Sequence, residues 1–136
     1  PAALRILFRA LGEDRTIVIS DAMRAAGQAD GPSELGGQPV FVKDGQARLA
    51  DGTLAGSTAN LRQALKNLVA FRVPLRQAVK SVSLNPACAL REEGRVGSLA
   101  PGKLADFVAL DARSLDIRFV VKDGRLAVKE GVLLEP

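Results

Sequence analysis

Arg15-Thr16-Ile17-Val18-Ile19-Ser20-Asp21 is the stretch whose reading decides the fold class. Thr16 to Ile19 is an almost continuous β-branched run, and such a run without polar alternation marks a strand covered on both faces. Upstream, Leu4, Leu7, Phe8 and Leu11 recur at helical spacing, Pro1 suits a first turn, and Gly12 is a natural stop. Helix, short loop, buried strand is the repeating unit of a parallel α/β fold. Asp21 closes the strand Arg15 to Ser20, and in an α/β barrel side chains at the C-terminal ends of strands converge on the active site. A carboxylate placed there can accept or donate a proton. The same residue could instead cap a helix starting at Ala22-Met23-Arg24, and position alone favours that cap.

Downstream, Asp21 to Gly37 is rich in glycine and poor in large apolar residues, which predicts a long functional loop. Val40-Phe41-Val42 and Ala47-Arg48-Leu49, joined through Asp44-Gly45, predict a hairpin. Asp51-Gly52-Thr53-Leu54-Ala55-Gly56-Ser57 reads as a second glycine-bounded loop. Leu61, Leu65, Leu68 and Val69 predict a helix from about Thr58 to Arg72, capped by Ser57 or Thr58. Pro74 opens another through Val82, and Pro86 a short third ending near Leu90. After Glu92-Glu93-Gly94-Arg95 the period changes to that of strands, at Val96 to Leu99, Phe107 to Leu110, Ile117 to Val121, Leu126 to Val128 and Val132 to Leu134. The expected division is therefore 1–92 and 93–136, the second an all-β unit of about 40 residues, below the size that folds unaided.

Composition narrows the function. A chain of 136 residues with 47% hydrophobic and 25% charged residues is ordinary for a soluble protein, and no apolar run approaches the length of a membrane span. A cytoplasmic location is expected. The net charge of +4 comes from scattered Lys and Arg, and with no Tyr or Trp and five Phe there is little for nucleic-acid bases to stack on. A mild positive field suits an anionic small substrate instead. The single Cys88, among small apolar neighbours, excludes a disulfide framework and reads as a buried, inert thiol. Histidine is absent. As the commonest ligand of catalytic zinc or iron, its absence means that this chain cannot build an ordinary metal site alone.

Two further segments hold residue types that can carry chemistry. In Asp51 to Ser57, Gly52 and Gly56 permit close backbone approach and a helix N-terminus follows, but the Lys of a phosphate-binding loop is missing, and as a bare pattern an ordinary turn with a cap is the favoured reading. Gly97-Ser98-Leu99-Ala100-Pro101-Gly102-Lys103-Leu104-Ala105-Asp106-Phe107 reads as strand, turn, strand, with Asp106 in a structural turn and no catalytic role.

Together, Ile19-Ser20-Asp21-Ala22-Met23 with Gly27, Asp51 to Ser57, Asn85-Pro86-Ala87, and Gly97 to Lys103 with Ala105-Asp106 resemble the C-terminal half of the N-acetylglucosamine-6-phosphate deacetylase family of amidohydrolases. Order and approximate spacing match over nearly the whole chain. The last motif is widespread among amidohydrolases, whereas the pairing of a strand-end Ser-Asp-Ala with Gly-Thr-Leu-Ala-Gly-Ser is far more specific. Ser20 stands where the family usually has Thr, and Arg91 where Gly is common; neither touches the chemistry.

The resemblance implies an α/β fold made of the C-terminal portion of a (β/α)8 TIM barrel plus part of a small β-sandwich. It implies hydrolysis of the acetamido group of N-acetylglucosamine 6-phosphate by water on a divalent metal, zinc or iron. The metal ligands would lie outside this chain, which would be inactive alone. Asp21 would move the proton from water to the departing amine, and Leu54, Ala55 and Gly56 would line the substrate pocket. The implied partners are the amino-sugar phosphate, a missing N-terminal barrel half and a second subunit in a homodimer, with neither nucleic acid nor membrane. A dihydroorotase- or deaminase-like amidohydrolase and a noncatalytic interaction module from a degenerate barrel are the alternatives.

Overall fold

The computed structural model describes residues 1–134. In chain order its elements are α1 (Ala2–Leu11), β1 (Gly31–Leu35), β2 (Gln38–Lys43), β3 (Gln46–Arg48), β4 (Leu54–Ser57), α2 (Leu61–Ala70), α3 (Leu75–Val82), α4 (Leu84–Ala89), β5 (Phe107–Leu110), β6 (Ile117–Lys122), β7 (Arg125–Lys129) and β8 (Val132–Leu133). They fall into two units, one formed by Pro1–Ile17 with the chain from Phe71 onward, the other by Val18–Ala70.

Both sheets are antiparallel four-stranded meanders, β1-β2-β3-β4 and β5-β6-β7-β8. Their tight turns follow one rule. Gly36-Gly37, Asp44-Gly45, Asp123-Gly124 and Glu130-Gly131 all have positive φ at both central residues, the geometry whose twist matches that of paired strands and that Gly accepts without strain. These hairpins were readable in sequence wherever Asp-Gly or Glu-Gly stood between apolar runs.

In the Val18–Ala70 unit, Val40 and Val42 alternate inward along β2 and pack with Met23, Ala25 and Ala47, while Leu49 and Ala55 close the edge of the cluster. Burying each valine stabilises the unit by about 2 kcal/mol. The helix α2 buries Leu65 and Leu68 and is capped by Asn60, whose Oδ1 accepts the Gln63 N–H at 2.9 Å. The expected caps are otherwise engaged: Ser57 Oγ accepts from Ala59 N, and the Thr58 hydroxyl donates to Gly45 O.

In the other unit, α1 buries Phe8 and stops at Gly12, whose N–H reaches Phe8 O at 3.1 Å. The small residues Ala78 and Ser81 are fully buried on α3. Asn85, buried on α4, spends its amide N–H groups on Glu13 O and Thr16 O, both at 2.8 Å. The third helix thus starts at Leu84, ahead of Pro86. Cys88 lies on its exposed side, beside the buried Asn85 and Ala87, so the expected burial of that thiol is corrected.

Three other expectations change. The run Thr16 to Ser20 joins no sheet among the described residues, leaving Ile17 42% and Ile19 72% exposed. A strand covered on both faces needs neighbours to complete its ladder, and among the described residues parallel pairing is limited to the isolated bridge Ala22↔Ser57. Val96 to Leu99 is no strand, because Gly97 at φ +85° is pressed against α4: an added Cβ would lie 2.7 Å from Ala87 Cβ and 3.1 Å from Leu84 Cα. The segment Asp21 to Gly37 is not loop throughout, since β1 pairs with β2 along Gly31 to Leu35. Gly31 and Pro32 hid that edge strand, where Pro is tolerated.

Candidate active site

Asp21 leads into no helix. Its φ is +48°, in the left-handed region, and the chain continues through turns closed by Ala26 N–H to Met23 O at 3.0 Å and Gln28 N–H to Ala25 O at 3.1 Å. The helix-cap reading is thereby excluded. Left-handed backbone at a non-glycine residue is strained, and Asp and Asn bear it best. The Asp21 side chain is exposed and makes no hydrogen bond or ion pair among the described residues.

The next residues tie this segment to β4. Ala22 and Ser57 form the parallel bridge, and Met23 N–H donates to Ser57 O at 2.9 Å. The structure therefore brings together the two segments singled out in sequence, the one bearing Asp21 and the one bearing Leu54, Ala55 and Gly56. The turn before β4 is self-contained. Asp51 Oδ1 accepts Thr53 N–H at 2.9 Å, Gly52 N–H reaches Leu49 O at 2.9 Å, and Arg48 Nη1 donates to Gly52 O at 2.6 Å. The Thr53 backbone N–H, helped by its hydroxyl, holds the Asp51 carboxyl below its ordinary pKa. Asp51 builds the turn.

Leu54, Ala55 and Gly56 do not present three side chains to one surface. A register shift between Ala47 and Arg48 puts Leu54 opposite Arg48, in a cross-strand row with Phe41, where it is 63% exposed. Ala55 packs against the apolar cluster, and Gly56 stands opposite the fully buried Ala47. Leu54 can thus offer an apolar side chain to a ligand, while the other two can offer main chain. What sequence reasoning missed is the support behind Gly56: a Cβ there would meet Met23 Sδ at 3.1 Å and Leu35 Cδ2 at 3.2 Å. The available signal was that Met23 and Leu35 are the largest apolar side chains in a stretch read as loop.

A metal does not fit the donors present. The sequence has no histidine, and no group of three or more Cys, Asp or Glu among the described residues is arranged to hold an ion. The Gly97 to Asp106 motif is structural throughout. Lys103 Nζ donates to Ser98 Oγ at 2.6 Å and to Glu93 O, and Leu104 N–H to Arg95 O at 2.9 Å. Asp106 accepts from Lys122 Nζ at 2.8 Å and from Asp123 N–H at 2.7 Å, contacts that hold its carboxyl below the ordinary carboxylate pKa in that order of importance. It fastens the β6-β7 turn. No helix among the described residues is long and apolar enough to cross a membrane.

Residues 34–127 match the model of the amidohydrolase family. The chain belongs to the amidohydrolase family. Among curated relatives of this amidohydrolase, it is 40% identical over 128 residues to the N-acetylgalactosamine-6-phosphate deacetylase of Escherichia coli O157:H7, covering 93% of this chain and 33% of that one. An Escherichia coli (strain K12) protein provisionally assigned the same activity is also 40% identical over 128 residues, with 93% of this chain and 75% of that protein covered. A solved structure of N-acetyl-D-glucosamine-6-phosphate deacetylase from Mycobacterium smegmatis superposes with a TM-score of 0.84 at 37% identity, over 94% of this chain and 35% of that one. The chain thus spans about a third of the length of the first and last of these.

Proposed function

We propose that this amidohydrolase chain forms part of a metal-dependent enzyme that hydrolyses N-acetylglucosamine 6-phosphate to glucosamine 6-phosphate and acetate. The observation that carries the reading is the Ala22↔Ser57 bridge, which joins the Asp21 segment to the Leu54–Gly56 segment within one unit. Asp21 is the catalytic residue of this proposal. As the water oxygen bonds to the acetamide carbonyl carbon, its carboxylate takes the water proton. That proton passes to the nitrogen as the C–N bond breaks, so the leaving group departs as a neutral amine. An exposed carboxylate with no competing partner is free to do both. Leu54 would meet the sugar or its acetyl group through its side chain, and Ala55 and Gly56 through backbone.

The donors for zinc or iron would come from segments other than this chain, since its own residues do not fit a metal. Residues 1–92 would belong to a (β/α)8 barrel and 93–136 to a small β-sandwich. Ile17 and Ile19 support the first assignment, because a β-branched run exposed to this degree lacks the neighbours that its composition requires. Cytoplasmic location and homodimeric assembly belong to the same reading.

The test is release of acetate from N-acetylglucosamine 6-phosphate by the metal-loaded full-length protein. Turnover of cyclic amides or nucleobases in its place would overturn the reading. A second reading concerns the sugar, because relatives with 40% identity carry the name of the galactosamine epimer. Parallel assays with both epimers decide it, the larger kcat/KM naming the substrate.

A further inference from the structure

Gly56 reads in sequence as a glycine that permits close backbone approach. Its backbone gives a different reason. Gly56 is not among the positive-φ glycines, so an alanine could adopt the same conformation. The obstacle is steric: an added Cβ would lie 3.1 Å from Met23 Sδ, 3.6 Å from Met23 Cγ and 3.2 Å from Leu35 Cδ2. Leu35 is 39% exposed and can swing aside. Met23 is 8% exposed and packed with Ala25, Val40, Val42 and Ala47, so it has less room to give. Met23 also grips β4 by its main chain, through the 2.9 Å hydrogen bond to Ser57 O. One residue therefore holds β4 at two successive positions, Gly56 by side chain and Ser57 by backbone, and stands two residues from Asp21.

We infer that Met23 is a positioning residue for the deacetylation. Its side chain, seated on Gly56, sets the spacing between Asp21 and the Leu54–Gly56 segment, and with it the size of acyl group that fits. This rests on the reading of Asp21 and Leu54–Gly56 proposed above.

The test is a four-member cycle in the full-length, metal-loaded protein: wild type, Gly56→Ala, Met23→Val and the double variant, each assayed with N-acetyl- and N-propionylglucosamine 6-phosphate and melted. Met23→Val removes the sulfur that Cβ would strike. Gly56→Ala should raise KM and lower kcat/KM about tenfold, the scale of a small misplacement of reacting groups. Adding Met23→Val should recover most of that loss and shift preference toward the N-propionyl substrate. Partial unfolding, by contrast, lowers apparent kcat at unchanged KM. Should Gly56→Ala not fold, Met23→Ala, which removes the contact without adding bulk, must still raise KM several-fold. An active wild type whose variants show additive effects on kcat/KM overturns the inference, even where their melting temperatures are coupled. A wild type inactive on every N-acyl hexosamine phosphate overturns the proposed function and this role with it, and that outcome is distinguished by the wild type alone.

Discussion

Asp21 and Asp106 both lie in segments that carry the family resemblance, and they are built in opposite ways. Asp106 is saturated: a lysine ammonium and a backbone N–H occupy its carboxylate and fix the turn between β6 and β7. Asp21 sits at φ +48°, exposed, with no hydrogen bond or ion pair among the described residues. A carboxylate whose lone pairs are filled by its own chain serves the fold. One held in a strained conformation and left unfilled contributes nothing evident to stability, and strain of this kind collects at functional sites. The comparison gives a physical basis to the different roles that the sequence suggests for the two aspartates.

The sharpest way to break it is Asp21→Asn in the full-length protein. Asn tolerates left-handed backbone at least as well as Asp, so the substitution removes the proton acceptor without altering the chain path. Turnover of N-acetylglucosamine 6-phosphate should fall about 10³-fold, within the range of general acid–base contributions, with metal content and melting temperature unchanged. Retained activity would make Asp21 as structural as Asp106.

Next in size is a residue whose effect should fall on stability. Asn85 is buried and bonds two carbonyl oxygens, Glu13 O and Thr16 O, each at 2.8 Å. Asn85→Ala leaves both without this partner, the Thr16 carbonyl buried and the Glu13 carbonyl part-buried, and should cost about 2 kcal/mol. Denaturant unfolding would show a lower midpoint at an unchanged slope. A loss below about 0.5 kcal/mol would mean that water replaces the amide.

These contrasts also show how far the sequence could be read. The hairpins at Asp44-Gly45, Asp123-Gly124 and Glu130-Gly131 were legible because positive φ is a local demand met by local residues. Helices α1 and α3 were legible from periodicity and Pro or Gly punctuation. Strand β1 was not, since Gly31 and Pro32 argue against a strand and its partner β2 supplies the pairing. The segment Val96 to Leu99 was misread because Gly97 answers to Ala87 and Leu84 on α4, contacts invisible at short range. At the candidate site, Asp21 and the β4 segment were found by pattern, but their bridge through Ala22 and Ser57 and the support of Gly56 by Met23 are tertiary facts.

A smaller effect follows from pH. Because Lys122 and the Asp123 N–H hold the folded pKa of Asp106 below its ordinary value of 3.8, the folded state binds fewer protons than the unfolded state in that range. The resulting stability is fully present above about pH 4 and is lost as pH falls through the folded pKa. Asp111 acts in the same sense, its carboxyl held far down by the Ser114 and Arg113 N–H groups and by Arg118. Asp106→Asn should therefore flatten part of the acid limb of the melting temperature below about pH 4, while leaving kcat/KM at neutral pH intact. An unchanged acid limb would show that Asp106 is paired no better in the folded protein than in the unfolded chain.

The smallest effect tests the logic of the comparison within the unit that also holds Asp106. Thr16 is buried, and its Oγ1 has no partner among the described residues, although its carbonyl is held by Asn85. If every unfilled polar group marked function, Thr16 would rank with Asp21. Burial distinguishes them: a ligand can reach an exposed carboxylate, whereas a shut-in hydroxyl only bears its desolvation cost. Thr16→Val keeps the β-branched shape and removes that cost, so stability should be unchanged or rise by up to about 1 kcal/mol, with kcat/KM unaffected. A clear fall in melting temperature would reveal a partner for the hydroxyl. A fall in kcat/KM at constant stability would place Thr16 on the functional side of the divide, and exposure would then no longer be what separates an idle polar group from a working one.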